Sequence, residues 1–65
     1  MREQEYHLDD GTTGIVYFRP KFLNEEELID RVVLKGSDGK ILRKWDFSAM
    51  PRTRQQAAEI LTFLI

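Results

Sequence analysis

Residues 29–47 read Ile29-Asp30-Arg31-Val32-Val33-Leu34-Lys35-Gly36-Ser37-Asp38-Gly39-Lys40-Ile41-Leu42-Arg43-Lys44-Trp45-Asp46-Phe47, and their reading decides the fold. Two readings compete for the first half. Asn24 followed three residues later by Glu27 resembles a helix capping box, and three successive glutamates suit a helix N-terminus. Leu28, Ile29, Val32 and Val33 then fall at helical spacing, with Gly36 as a stop. This gives an alternative ββαβα order with a helix at about residues 25–35. Against it, Arg31 to Lys35 is β-branched and runs directly into Gly36-Ser37-Asp38-Gly39, an Asp-Gly hairpin signal. The strand reading is preferred, with one helical turn at residues 25–27.

Register supports that choice. A two-residue turn at Asp38-Gly39 pairs Val32 with Trp45, Leu34 with Arg43 and Gly36 with Ile41. Directly opposed residues share a face. One face then holds Val32, Leu34, Ile41, Trp45 and Phe47, and the other Arg31, Val33, Lys35, Leu42 and Lys44.

Upstream, Gln4 to Leu8 alternates polar and apolar, Asp9-Asp10-Gly11 signals a turn, and Gly14-Ile15-Val16-Tyr17-Phe18 is strand-like. A turn about Asp10-Gly11 sets Tyr6 opposite Ile15 and Leu8 opposite Thr13. Arg19-Pro20 ends the second strand, because proline has no amide to donate. Downstream, Ser48 or a neighbour caps a helix, Pro51 suits its first turn, and no glycine interrupts residues 52–65. Met50, Thr53, Ala57, Ile60, Leu61, Leu64 and Ile65 form one helical stripe. The expected fold is α+β: a four-stranded antiparallel sheet of two β-hairpins with one C-terminal α-helix on one face. That helix should cover Tyr6, Ile15, Tyr17, Val32, Leu34, Ile41, Trp45 and Phe47.

The chain has 65 residues, enough for a single small domain spanning residues 1–65. A chain of this size buries only about 60% of its unfolded surface, so it depends on good packing or on a partner. With no cysteine, disulfides, thiolate zinc sites and iron–sulfur clusters are excluded. One histidine leaves little for other metal sites, and neither metal nor cofactor is expected. Met1 to His7 carries no apolar stretch of a secretion signal, and no apolar run approaches membrane-spanning length. A cytoplasmic, non-membrane protein is expected.

The net charge of −1 hides an asymmetry. Residues 1–30 hold three basic and eight acidic residues, a net −5; residues 31–65 hold seven basic and three acidic, a net +4. Either the two halves balance each other on packing, or the second half presents a basic surface.

Catalysis is not expected. The hydroxyl candidates are Ser37, at a hairpin tip, and Ser48, and the histidine, His7, lies on the outer face of the first strand. No nucleophile–base pair is suggested. Asp9-Asp10 precedes a turn glycine, a structural use of aspartate. Gly36-Ser37-Asp38-Gly39-Lys40 fails the phosphate-loop pattern, with two residues between its glycines and Ile41 after the lysine.

Two features point to binding. Arg52 and Arg54 stand at the expected helix start, where cations oppose the dipole, so an anion site there is one reading. The open sheet face should carry Val16, Phe18, Val33 and Leu42 among His7, Arg31, Lys35 and Lys44, more apolar than an open face usually is. Phe63 and Ile65 add apolar groups near the C-terminus. The candidate interface is therefore Val16, Phe18, Val33, Leu42, Phe63 and Ile65. The candidate anion or nucleic-acid contacts are Arg31, Lys35, Lys44, Arg52 and Arg54. The expected function is a non-catalytic protein-interaction module, accessory, regulatory or inhibitor-like, acting through the sheet face or as a homodimer. The alternative is a small single-stranded nucleic-acid-binding domain using the basic sheet face and the helix start.

Overall fold

A computed structural model describes residues 2–20 and 26–62. Four antiparallel strands follow one another as a meander: β1 Arg2–His7, β2 Thr13–Phe18, β3 Ile29–Lys35 and β4 Ile41–Asp46, in sheet order β1-β2-β3-β4. One short helix, α1 Ala58–Leu61, follows. The α+β sheet-plus-helix architecture is as expected. The alternative with a helix over residues 25–35 is overturned, because residues 29–35 form a central strand paired on both sides. The β-branched run finds two neighbours there, and tertiary pairing outweighs the helix-like start. Of the helical turn expected at residues 25–27, residue 25 lies outside the described residues, while Glu26 and Glu27 are described and stand in no helix, a departure from the expectation.

Both hairpins close in the same way. In the first, the Leu8 amide donates to the Thr12 carbonyl at 2.9 Å and the Gly11 amide to the Leu8 carbonyl at 3.1 Å. In the second, the Gly36 amide donates to the Lys40 carbonyl at 2.8 Å and the Gly39 amide to the Gly36 carbonyl at 2.9 Å. Each loop therefore has three residues and ends on a glycine at positive φ, +87° for Gly11 and +84° for Gly39. An aspartate braces each loop. The Thr12 amide and hydroxyl both donate to Asp10 Oδ1, and the Lys40 amide donates to Asp38 Oδ1 at 3.1 Å.

The extra loop residue moves the first hairpin by one position. Tyr6 pairs with Gly14 and Glu5 with Ile15, instead of Tyr6 with Ile15. Such a slip exchanges the faces of a strand. Val16 and Phe18 turn inward and are fully buried, while Ile15 and Tyr17 move to the open face. This corrects the sequence expectation for all four. The Tyr6 ring stands opposite a residue with no side chain, a favourable way to cover a strand glycine.

In the second hairpin the same loop does no such thing. Leu34 pairs with Arg43 but Lys35 with Ile41, so Leu42 is an extra residue in β4. This bulge cancels the loop's shift, and Val32 opposes Trp45 as expected. Ile41 is the exception. It pairs with Lys35 in place of Gly36, leaves the helix side and is 58% exposed.

The core is Val16, Phe18, Ile29, Val32, Ala57 and Leu61, with Tyr6, Leu8, Leu34, Trp45, Phe47 and Ile60 packed around it. Burying a side chain such as Phe18 contributes about 1.5–3 kcal/mol.

The expected start of the helix is displaced. Arg52 instead bridges Ile29 through both backbone groups, at 2.6 and 3.1 Å. After Thr53 the chain runs through a turn over residues 54–57, and α1 begins at Ala58. There the Gln56 amide donates to Thr53 Oγ1 at 3.1 Å and the Thr53 amide to Gln56 Oε1 at 3.0 Å, a reciprocal capping box. Ala57 and Leu61, four apart, face the core as the stripe expects. Met50, expected on that stripe, is 71% exposed because it precedes the displaced start. Leu64 and Ile65 lie outside the described residues.

Two outcomes follow for stability. Gly11→Ala or Gly39→Ala places a Cβ at positive φ and should cost about 1–2 kcal/mol each, read as a lower denaturation midpoint. Ser37→Ala, in the same loop as Gly39, should change little. Thr12 holds the Asp10 carboxyl below the ordinary carboxylate range, by its hydroxyl first and its amide second. A depressed carboxyl stabilises the fold above its unfolded pKa, and the contribution is lost as pH falls through the lower folded value. Melting temperature measured through and below about pH 4 should therefore drop less steeply in Asp10→Asn than in the parent chain.

Candidate interaction surface

The side of the sheet away from the core cluster is ordered by the pairing into three cross-strand rows. Glu3, Tyr17, Arg31 and Asp46 form one; Glu5, Ile15, Val33 and Lys44 the middle one; His7, Thr13, Lys35 and Ile41 the third. Partners across an antiparallel ladder lie on the same face, about 4.5–5.5 Å apart. No described helix packs here, since Ala57 and Leu61 belong to the opposite cluster.

The middle of this face is already dense. Ile15 and Val33 are each only 5% exposed, between flanking long side chains. Stems of lysine and arginine commonly shield aliphatics in this way. Beside them the Arg31 guanidinium lies over the Tyr17 ring at 4.3 Å. Arg31 Nε is shielded from solvent and makes no hydrogen bond among the described residues. His7 stands near Thr13 Oγ1 at 3.4 Å and Glu5 at 3.8 Å, highly exposed. The Ser48 amide and hydroxyl hold the Asp46 carboxyl below its usual range, with Lys44 and Arg31 adding a smaller pull.

Charge on this face is balanced and separated. Glu3 and Glu5 lie on the β1 edge, Lys35 and Lys44 toward the β4 edge, with Arg31 and Asp46 on the latter side. Glu5 and Lys44 share a row but stand three strand spacings apart, about 14 Å, so they do not meet within one chain. Glu3, Lys35 and Lys44 make no ion pair among the described residues.

The sequence candidates divide between the two sides. Arg31, Lys35, Lys44 and Val33 are on the open face as expected. Val16 and Phe18 are not: they are core. Leu42 is 56% exposed at the bulge, across from Gly36. Phe63 and Ile65 lie outside the described residues.

Arg52 and Arg54 belong to the other side and face local partners. Arg52 lies 5.3 Å from the Phe47 ring. Arg54 lies 4.8 Å from the Phe18 ring, with its guanidinium 3.7 Å from Glu27. Arg2 lies over the same ring at 4.2 Å and binds both oxygens of Glu27. The arginine that looked unexplained at a helix start thus meets an acid from the other half of the chain. α1 begins at Ala58, so Arg52 and Arg54 precede it instead of standing in its first turn. An open hollow of about 460 Å³ lies beside it, lined by Arg54, Ala58, Leu61 and Thr62.

Sequence reasoning missed Glu3, Glu5, Ile15, Tyr17 and Ile41 as members of the open face. The usable signal was the shared pattern Asp-Asp-Gly-Thr and Ser-Asp-Gly-Lys, in which aspartate precedes the glycine that ends a three-residue loop. Among the described residues no cluster of three or more His, Cys, Asp and Glu could hold a metal ion. No protein-family model, no curated protein and no solved structure matches this chain.

Proposed function

We propose that the chain is a non-catalytic protein-interaction module, accessory or regulatory in role, that meets a protein partner on its open sheet face. The carrying observation is the stacked Tyr17–Arg31 pair beside Ile15 and Val33, ringed by Lys35, Lys44 and the exposed Ile41. Tyrosine and arginine around a dense apolar centre with a charged rim match the anatomy of protein interfaces. The cysteine-free composition supports a reducing, cytoplasmic setting.

The nucleic-acid reading would use the same face and is less favoured. The three bases there are matched by Glu3, Glu5 and Asp46, which removes the net pull toward phosphate. Tyr17 is the single aromatic residue in the three rows, and Arg52 and Arg54 stand on the other side.

The test is a comparison of capture. Immobilised wild-type chain should retain a defined protein, and the open-face variant Ile41→Lys/Lys44→Glu should lose it. Met50→Lys, exposed and outside the three rows, should retain it. Single-stranded DNA should show no retardation at low salt. Equal capture by all three chains, no capture by the wild type, or salt-sensitive DNA binding would overturn the proposal.

A further inference from the structure

We infer that the partner fitting the open face is a second copy of this chain, packed face to face about a two-fold axis parallel to the strands. The inference rests on the open-face reading above. It adds which partner, in which orientation.

Symmetry and row order make the argument. A two-fold axis in the interface, parallel to the strands and passing between β2 and β3, keeps each row opposite itself and exchanges its ends. The middle row then places Glu5 against the partner's Lys44, and Ile15 against the partner's Val33. Each contact occurs twice, as a two-fold interface requires. In the next row Tyr17 meets the partner's Arg31, and in the third His7 meets the partner's Ile41. Glu5 on the β1 edge thereby finds a Lys44 that it cannot reach within its own chain. An axis perpendicular to the strands through the middle row would set β1 on β1 and oppose Glu5 to itself and Lys44 to itself.

One contact, repeated at two corners, is mismatched: Glu3 faces the partner's Asp46. Packed sheets rotate by about 30° relative to each other, which swings the corners apart while the centre stays in register. A lysine stem spans that displacement more readily than two short acids meet across it.

Size sets the strength. Four strands of six or seven residues present a face about 20 Å on a side, smaller than the roughly 800 Å² per partner of a standard interface. Since Ile15 and Val33 are largely covered already, the gain comes mainly from charge pairing and from the Tyr17 and Ile41 surfaces. The dimer should be weak, dissociating in the micromolar-to-millimolar range, and weaker in salt.

The test uses sedimentation equilibrium over a wide concentration range. The wild type should reach a dimer and no larger species. Glu5→Lys and Lys44→Glu, each at an exposed position, should weaken it by roughly tenfold or more. An equimolar mixture of these two variants should recover a one-to-one heterodimer, because both contacts between positions 5 and 44 are attractive again. Unchanged melting curves confirm that the variants fold. A strictly monomeric wild type, dimers indifferent to the swaps, or growth beyond the dimer through strand edges would each overturn the inference. A monomeric wild type that still captures another protein through Ile41 and Lys44 would sink this inference alone. Failure of both experiments would sink the open-face reading with it.

Discussion

The hydrogen bond from the Leu8 amide to the Thr12 carbonyl closes a three-residue loop, and the rest of the molecule depends on where that closure falls. It needs a residue at positive φ, supplied by Gly11, and a brace, supplied by Asp10. With the loop closed there, Val16 and Phe18 face inward and complete the core with Ile29, Val32, Ala57 and Leu61. Closure one residue earlier or later would turn Ile15 and Tyr17 inward instead. The open face would then lose its stacked tyrosine–arginine pair and Ile15 from its central row.

Much of the fold was legible in residue chemistry. Two Asp-Gly signals separated β-rich segments, and Ala57 and Leu61 kept the apolar helical spacing. Faces were harder. In β2 every residue from Ile15 to Phe18 is apolar, so alternation is silent about which side is inside. Only loop length could decide it, and Asp-Gly suits two- and three-residue loops alike. The second hairpin was assigned correctly at Val32 and Trp45 because the Leu42 bulge offsets the longer loop. A bulge leaves no simple mark in sequence. Nor does the Ile29–Arg52 bridge, which joins backbones far apart in the chain and lies ahead of a helix that begins only at Ala58.

The charge asymmetry resolves into two arrangements. On the core side, Glu27 engages Arg2 and Arg54, whose guanidiniums cover the Phe18 ring. Arg19 similarly holds Asp30 at 3.0 Å and donates to the Ser48 carbonyl at 3.1 Å. These contacts tie the segment before β3 to its surroundings. On the open side, Asp46 stands beside Arg31 and Lys44, while Glu3 and Glu5 on the β1 edge remain far from Lys44 at the other edge. Charges satisfied locally explain the structure of one side. Charges left separated on the other are what support a reading of function, and Glu5 and Lys44 carry it.

Cross-strand proton contacts in β1 and β2 test the account most directly. Leu8 and Thr12 form a hydrogen-bonded pair, so pairs alternate along the ladder and Glu5–Ile15 is a close, non-hydrogen-bonded one. Their Cα atoms should lie about 4.5 Å apart. A nuclear Overhauser spectrum should show a strong Hα–Hα contact between Glu5 and Ile15, and another between Glu3 and Tyr17. An Hα–Hα contact between Tyr6 and Ile15 in their place would contradict the register, the composition of both faces and the function argued from them.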